Sequence, residues 1–164
     1  MRPLSVDANL AAWDANVEAT HETEARRVST EVALSDLLAE SELFGAVEHA
    51  RTAAPDAAAR RQLDLLHDAL LPHQVPAVLR HRIVEIEASV ESRFASHRGV
   101  VKGAEVSDNE IKRILRSSED AVERRKAWEA SKTVGAAVAD DVRALARLRN
   151  EAARSLGHRD WFAL

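Results

Sequence analysis

The chain has 164 residues, 46% of them hydrophobic and 30% charged, with a formal net charge of −4 and no cysteine. That length suits one domain-sized unit burying roughly 70% of the surface its unfolded chain exposes. Acidic and basic residues are interleaved with no basic block, which argues against nucleic acid as a partner. Without cysteine there is no disulfide framework and no thiolate metal site. No apolar run is long enough for a signal peptide or a membrane span, so no membrane partner and a cytoplasmic location are expected. Five Gly, four Pro, 4% aromatics and no Tyr leave a core of Leu, Val, Ile and Ala. The expected class is all-α: a bundle or array of about six to seven helices with one short non-helical loop near 98–107.

Taken in chain order, residues 7–19 carry Leu10, Trp13 and Val17 at spacings of three and four, one face of a helix. Thr20 is a candidate N-cap for a helix running into the high thirties, with Glu22 and Glu24 in its first turn and Ala25, Val28 and Val32 as its stripe. Residues 41–54 read as a short helix ended by Pro55. Asp56 then caps a helix with Leu63, Leu66 and Leu70 at helical spacing. After the LPHQVP break at 71–76, Leu79, Ile83, Ile86, Val90 and Phe94 form the clearest stripe of the first half. Val100 and Val101 suggest an extended loop or hairpin. Ser107 with Glu110 makes a capping box before Ile111, Ile114 and Leu115. Asp120 is the next candidate cap. From Ala121 to Leu156 the pattern is nearly continuous through Val134, Val138, Val142, Leu145, Leu148, Ala152 and Leu156, with Gly135 placed either to bend it or to let another backbone approach closely.

The search for chemistry is brief. His21-Glu22-Thr23-Glu24-Ala25 begins like the zinc helix H-E-x-x-H, but Ala25 stands where the second imidazole is needed. Glu18-x-x-His21 and Asp64-x-x-His67 match the carboxylate-x-x-His pattern of di-iron bundles. About one such match is expected by chance at this composition, and the first straddles the Thr20 break. His67, His73 and His81 cluster near one corner in sequence, where they suit helix ends. The basic runs Arg124-Arg125-Lys126 and Arg143, Arg147, Arg149 read as solvated helix faces, with Asp140, Asp141 and Glu151 in reach for ion pairs. No serine elbow, phosphate loop or dinucleotide loop is present. The expected catalytic, cofactor-binding and metal-ligating residues are therefore none.

Three stretches carry a resemblance: AAWDANVEATHETEA (11–25), VSDNEIKRILRSSEDAVERRKAWEASKTVG (106–135) and RLRNEAARSLGHRDWFAL (147–164). In this order they resemble the N-terminal helical region of the angiotensin-converting-enzyme-like peptidyl-dipeptidases and their bacterial relatives. They are also similar to the neighbouring oligopeptidases of the thimet and oligoendopeptidase types. The resemblance implies a mostly helical zinc peptidase whose N-terminal helices form a lid and one wall of a long cleft. It also implies that zinc is held by an H-E-x-x-H helix and a downstream Glu, all beyond the point matched by Leu164. No family catalytic or metal residue then falls on this sequence, and alone the chain is expected to cleave nothing.

The ending fits that expectation. A helix finishes near Gly157, Asp160 is placed to cap another, and Trp161 and Phe162 follow just before the end at Leu164. Residues 1–164 thus read as a single N-terminal lid-and-wall subdomain whose partners are the zinc-bearing catalytic half and a short peptide. One apolar stripe should lack a cover within the chain and promote self-association. Two other readings stand beside this one: a free-standing helical binding or regulatory module, and a metal-binding bundle using the two carboxylate-x-x-His matches.

Overall fold

The computed structural model describes residues 2–164 and is predominantly α-helical, with eight α-helices and one small hairpin among them. The helices are α1 (Arg2–Val17), α2 (His21–Leu38), α3 (Ser41–Thr52), α4 (Ala57–Leu70), α5 (Ala77–Ser96), α6 (Asp108–Ser117), α7 (Ala121–Lys132) and α8 (Val134–Ser155). A 3-10 turn, Leu71–His73, joins α4 to α5, and strands β1 (Gly99–Val101) and β2 (Ala104–Val106) pair antiparallel. Helices α1, α2, α5 and α8 pack side by side in that order. Helix α3 packs on α4, and the hairpin, α6 and α7 make a second group.

Local chemistry sets most of the boundaries. The Thr20 hydroxyl accepts from the Thr23 amide at 3.1 Å while the Thr23 hydroxyl accepts from the Thr20 amide at 3.0 Å, a reciprocal cap. Asp56 accepts from Ala59 N at 2.8 Å and Asp120 from Val122 N at 2.8 Å, so both expected caps form. Ser107 accepts from Glu110 N at 3.2 Å, but the Glu110 carboxylate turns to Arg113 instead of completing the box. The extended stretch is a hairpin with Lys102 at φ 54° and Gly103 at φ 83°, the pair of positive φ values a tight two-residue turn requires. A Cβ on Gly99 would lie 3.0 Å from the Ala130 carbonyl oxygen, so only glycine lets β1 sit this close to α7.

Two apolar clusters hold the chain. The larger sits between α5 and α8, where Ile83 and Ile86 meet Leu145 and Ala152, with Val75 beside them and Trp161 packed against the edge. The smaller joins Val101 of β1 to Ile111 and Ile114 of α6 and Ala127 and Ala130 of α7. Each large aliphatic side chain so buried contributes about 1.5–3 kcal/mol.

Several expected stripes are corrected. The pattern from Ala121 to Leu156 is two helices, because the Thr133 amide and hydroxyl both bond back to the Ala130 carbonyl, at 3.3 and 2.7 Å. Gly135 lies inside α8 and is not the break. Phe94 is 62% exposed and Val142 is 46% exposed, so neither joins the core. On α2 the buried residues are Arg27 and Ser35, while Ala25 is exposed and Val28 and Val32 are half-buried.

The largest departure is on α1. Its expected face points outward: Leu10 is 52%, Trp13 68% and Val17 69% exposed, continuing a line from Val6 at 48%. The buried residues are Ala8, Ala11 and Ala15, whose small side chains let α1 approach α2 closely. Ala11→Leu should therefore destabilise the chain by about 1–3 kcal/mol through overpacking. Trp13→Ser on the outer face should change stability by under about 0.5 kcal/mol in thermal unfolding at concentrations low enough to keep the chain monomeric.

Candidate functional site

A groove of about 560 Å³ opens between α2 and α5. Its walls are small: Ala25, Val28 and Ser29 on α2 face Ala88, Ser89 and Ser92 on α5. Alanine and serine at these one-turn spacings leave the space that leucines would fill. His21, Glu24, Glu85 and Arg93 supply the charged rim, and Arg93 also reaches Asp141 of α8 at 3.1 Å. The volume falls in the range of ligand sites, but the groove is open rather than enclosed, a shape for an extended chain or a packing surface. Nothing in it pairs a nucleophile with a base.

At the other end of the α2–α5 contact lies a polar corner. Ser35 Oγ and His73 Nδ1 are 3.1 Å apart, and Asp36 accepts from Arg80 at 2.7 Å and meets His81 Nε2 at 2.7 Å. Arg80 also donates to the carbonyls of Val75 at 2.5 Å and His73 at 3.4 Å, which fixes the 3-10 turn against α5. The bonds from His81 and Arg80 hold the Asp36 carboxyl below its ordinary range. Burial, and then the neighbouring Arg80 charge, push the His73 imidazole down, so its neutral form is favoured. Ser35, His73, Arg80 and Glu87 line a second pocket of about 180 Å³, closed on one side by Trp161.

That Trp161 contact explains the closing residues. Helix α8 ends in a left-handed Gly157 at φ 85°, with His158 N bonded to Ala153 O at 2.9 Å and Gly157 N to Arg154 O at 3.0 Å. The chain then folds back: Trp161 N donates to Asn150 Oδ1 at 3.0 Å, and the Arg149 guanidinium lies 5.5 Å from the indole centroid. Arg149 also donates to Glu87 at 2.6 Å, so it bridges α8 to α5 and is not a residue of a freely solvated face. Arg143 pairs with Asp140 at 2.8 Å as expected, while Arg125 pairs with Glu129 at 2.8 Å and Asp141 with Arg93 of α5. Asp160 caps a turn, accepting from Ala163 N at 3.0 Å.

The histidines are dispersed. His67 lies against Phe44 and its Nδ1 is 3.2 Å from Asp68, while Asp64, its partner in the motif, is held by Arg51 and Arg60. His73 and His81 each have their own partner, as given above, and His97 meets Thr133 at 2.8 Å. Among the described residues no three His or carboxylate side chains gather into a group that could hold a metal.

A family model described as angiotensin-converting enzyme, of the peptidase M2 group, matches residues 1–164. The chain belongs to the angiotensin-converting enzyme family. No curated protein matches it significantly.

Membership in this zinc-dependent family raises the question of whether these residues fit the metal. They do not. The helix that starts H-E carries Ala25 one turn on, and among the described residues no three His or carboxylate side chains come together as a metal would require. What sequence reasoning missed is polar and long-range: Arg27 buried against Glu91, the Asp36–Arg80–His81 cluster, and Ser35 with His73. A charged residue flanked by the apolar stripe of α2 was the available signal at Arg27, but its partner lies 64 positions away.

The depressed His73 has a consequence for stability. The unfolded chain takes up a proton at His73 near pH 6.5, before the folded one does, so stability is full above that pH and falls as pH drops below it. Melting temperature should decline between about pH 7.5 and 5.5, and His73→Gln, which retains a polar partner for Ser35, should flatten that decline.

Proposed function

We propose that this chain supplies the lid and one cleft wall of a zinc-dependent peptidase acting on short peptides, with the metal borne by another portion of the enzyme. The observation that carries the reading is the outer face of α1. Val6, Leu10, Trp13 and Val17 recur at steps of four, three and four, all exposed by about half or more, on a helix that already buries its opposite, alanine side. Soluble monomers rarely expose contiguous apolar patches larger than about a few hundred Å², and a line of four large apolar side chains on one helix face points to a surface that something else meets. In a lid, that something is the cleft or the portion across it. The α2–α5 groove adds an open concavity on the same helical layer.

The chemistry of the family calls for a metal with an open coordination position to activate water. In this reading the helices contribute shape: they admit an extended peptide and exclude a folded protein by sterics. The reading as a free-standing module requires the α1 face to be satisfied, and in this structure it is open.

The chain with added zinc should hydrolyse a fluorogenic tripeptide no faster than buffer. Combined with an H-E-x-x-H-bearing catalytic portion of a family member, it should restrict cleavage to short peptides and spare a folded protein substrate. Hydrolysis by the chain alone would overturn the proposal. In sedimentation the isolated chain should self-associate, and Trp13→Glu should return it to a monomer with unchanged helicity; a monomer at every concentration would count against an interface on α1.

A further inference from the structure

The pocket beneath Trp161 has a floor made by one face of α5, where Arg80, Ile83, Val84 and Glu87 follow at steps of three, one and three. Ser35 and His73 stand at the Arg80 end, and the indole completes the wall. The space is about 180 Å³. Apolar cavities of about 150 Å³ hold a benzene ring, and Ile83, Val84 and the Trp161 indole offer a ring the surface it needs.

The polar groups narrow the ligand further. Both ions at the pocket are neutralised by residues outside its lining: Asp36 accepts from Arg80 at 2.7 Å, and Arg149 donates to Glu87 at 2.6 Å. His73 is also favoured as the neutral imidazole, through burial and the Arg80 charge. A charged ligand would therefore give up its water without gaining a spare counter-charge. One acceptor is left over. The two bonds from Arg149, at 3.1 and 2.6 Å, both end on Glu87 Oε1, and Oε2 accepts from nothing among the described residues.

We propose that this pocket binds a small neutral hydroxy-aromatic molecule, with its ring against Trp161, Ile83 and Val84 and its hydroxyl donating to Glu87 Oε2. A hydroxyl that donates to a carboxylate makes one of the stronger hydrogen bonds, which favours a phenol over a bare hydrocarbon of the same shape. With a pKa of about 10, a phenol keeps that proton at neutral pH. The site needs no metal and no catalytic portion, so it stands apart from the lid reading above.

Titration of p-cresol into the 164-residue chain tests it, followed by the NMR signals of the Trp161 indole and the Ile83 methyls. Binding should saturate with a Kd of about 1 mM or tighter, and toluene should bind about tenfold more weakly. Glu87→Gln keeps an acceptor for Arg149 but puts a donor in place of the free oxygen. It should erase the preference for p-cresol and leave toluene within about twofold. Val84→Phe, which fills the space, should abolish binding of both; if it folds poorly, the Glu87→Gln comparison decides alone. N-Acetyltyrosinamide separates the sources of the ring: binding of p-cresol alone assigns the pocket to free phenols, and binding of both assigns it to a tyrosine side chain. Shifts that never saturate, equal affinity for p-cresol and toluene, or a preference that survives Glu87→Gln would each overturn the proposal.

Discussion

Helix α5 meets α8 through Ile83 and Ile86 against Leu145 and Ala152, and this contact is the fixed member of the structure. Its flank is closed by Glu87–Arg149 and its end by Trp161, so apolar burial, an ion pair and an aromatic plug act on the same pair of helices. Two further joints are made to that pair. The hairpin group attaches where α7 runs into α8 at Thr133, and the α1–α2 pair attaches to the opposite face of α5.

The two faces of α5 differ in kind. Toward α8 it presents isoleucines; toward α2 it presents Arg80, His81, Ala88 and Glu91. Burial of aliphatic surface is non-directional and resists salt, whereas an ion pair with one exposed partner is directional and is screened. The same helix thus carries an apolar contact on one side and a partly ionic one on the other. Helix α1 repeats the theme with different letters, small alanines inward and a line of large apolar residues outward. Both features place exposed apolar side chains and a groove lined by small residues on the α1–α2–α5 side.

Much of the fold was legible because the relevant signals are local. Thr20, Asp56, Ser107 and Asp120 each bond an amide two or three residues on, and the Leu79–Ile83–Ile86 periodicity marks a buried face within one helix. The family, too, was legible, since its stretches at 11–25, 106–135 and 147–164 are continuous in sequence. The site was less so. Arg27 with Glu91 and Asp36 with Arg80 join residues tens of positions apart, and nothing in either neighbourhood announces the other.

By itself, then, the sequence determined the all-helical class, most helix starts, the turn at Lys102-Gly103 as a non-helical excursion, and the kinship with a zinc peptidase family. Tertiary structure decided which side of each helix is covered. Periodicity reports that apolar residues share a face, but on α1 two faces competed, and close approach to α2 selected alanine over Leu10, Trp13 and Val17. A helix wheel holds no record of its neighbours' distance, and that distance is what sends the larger side chains outward.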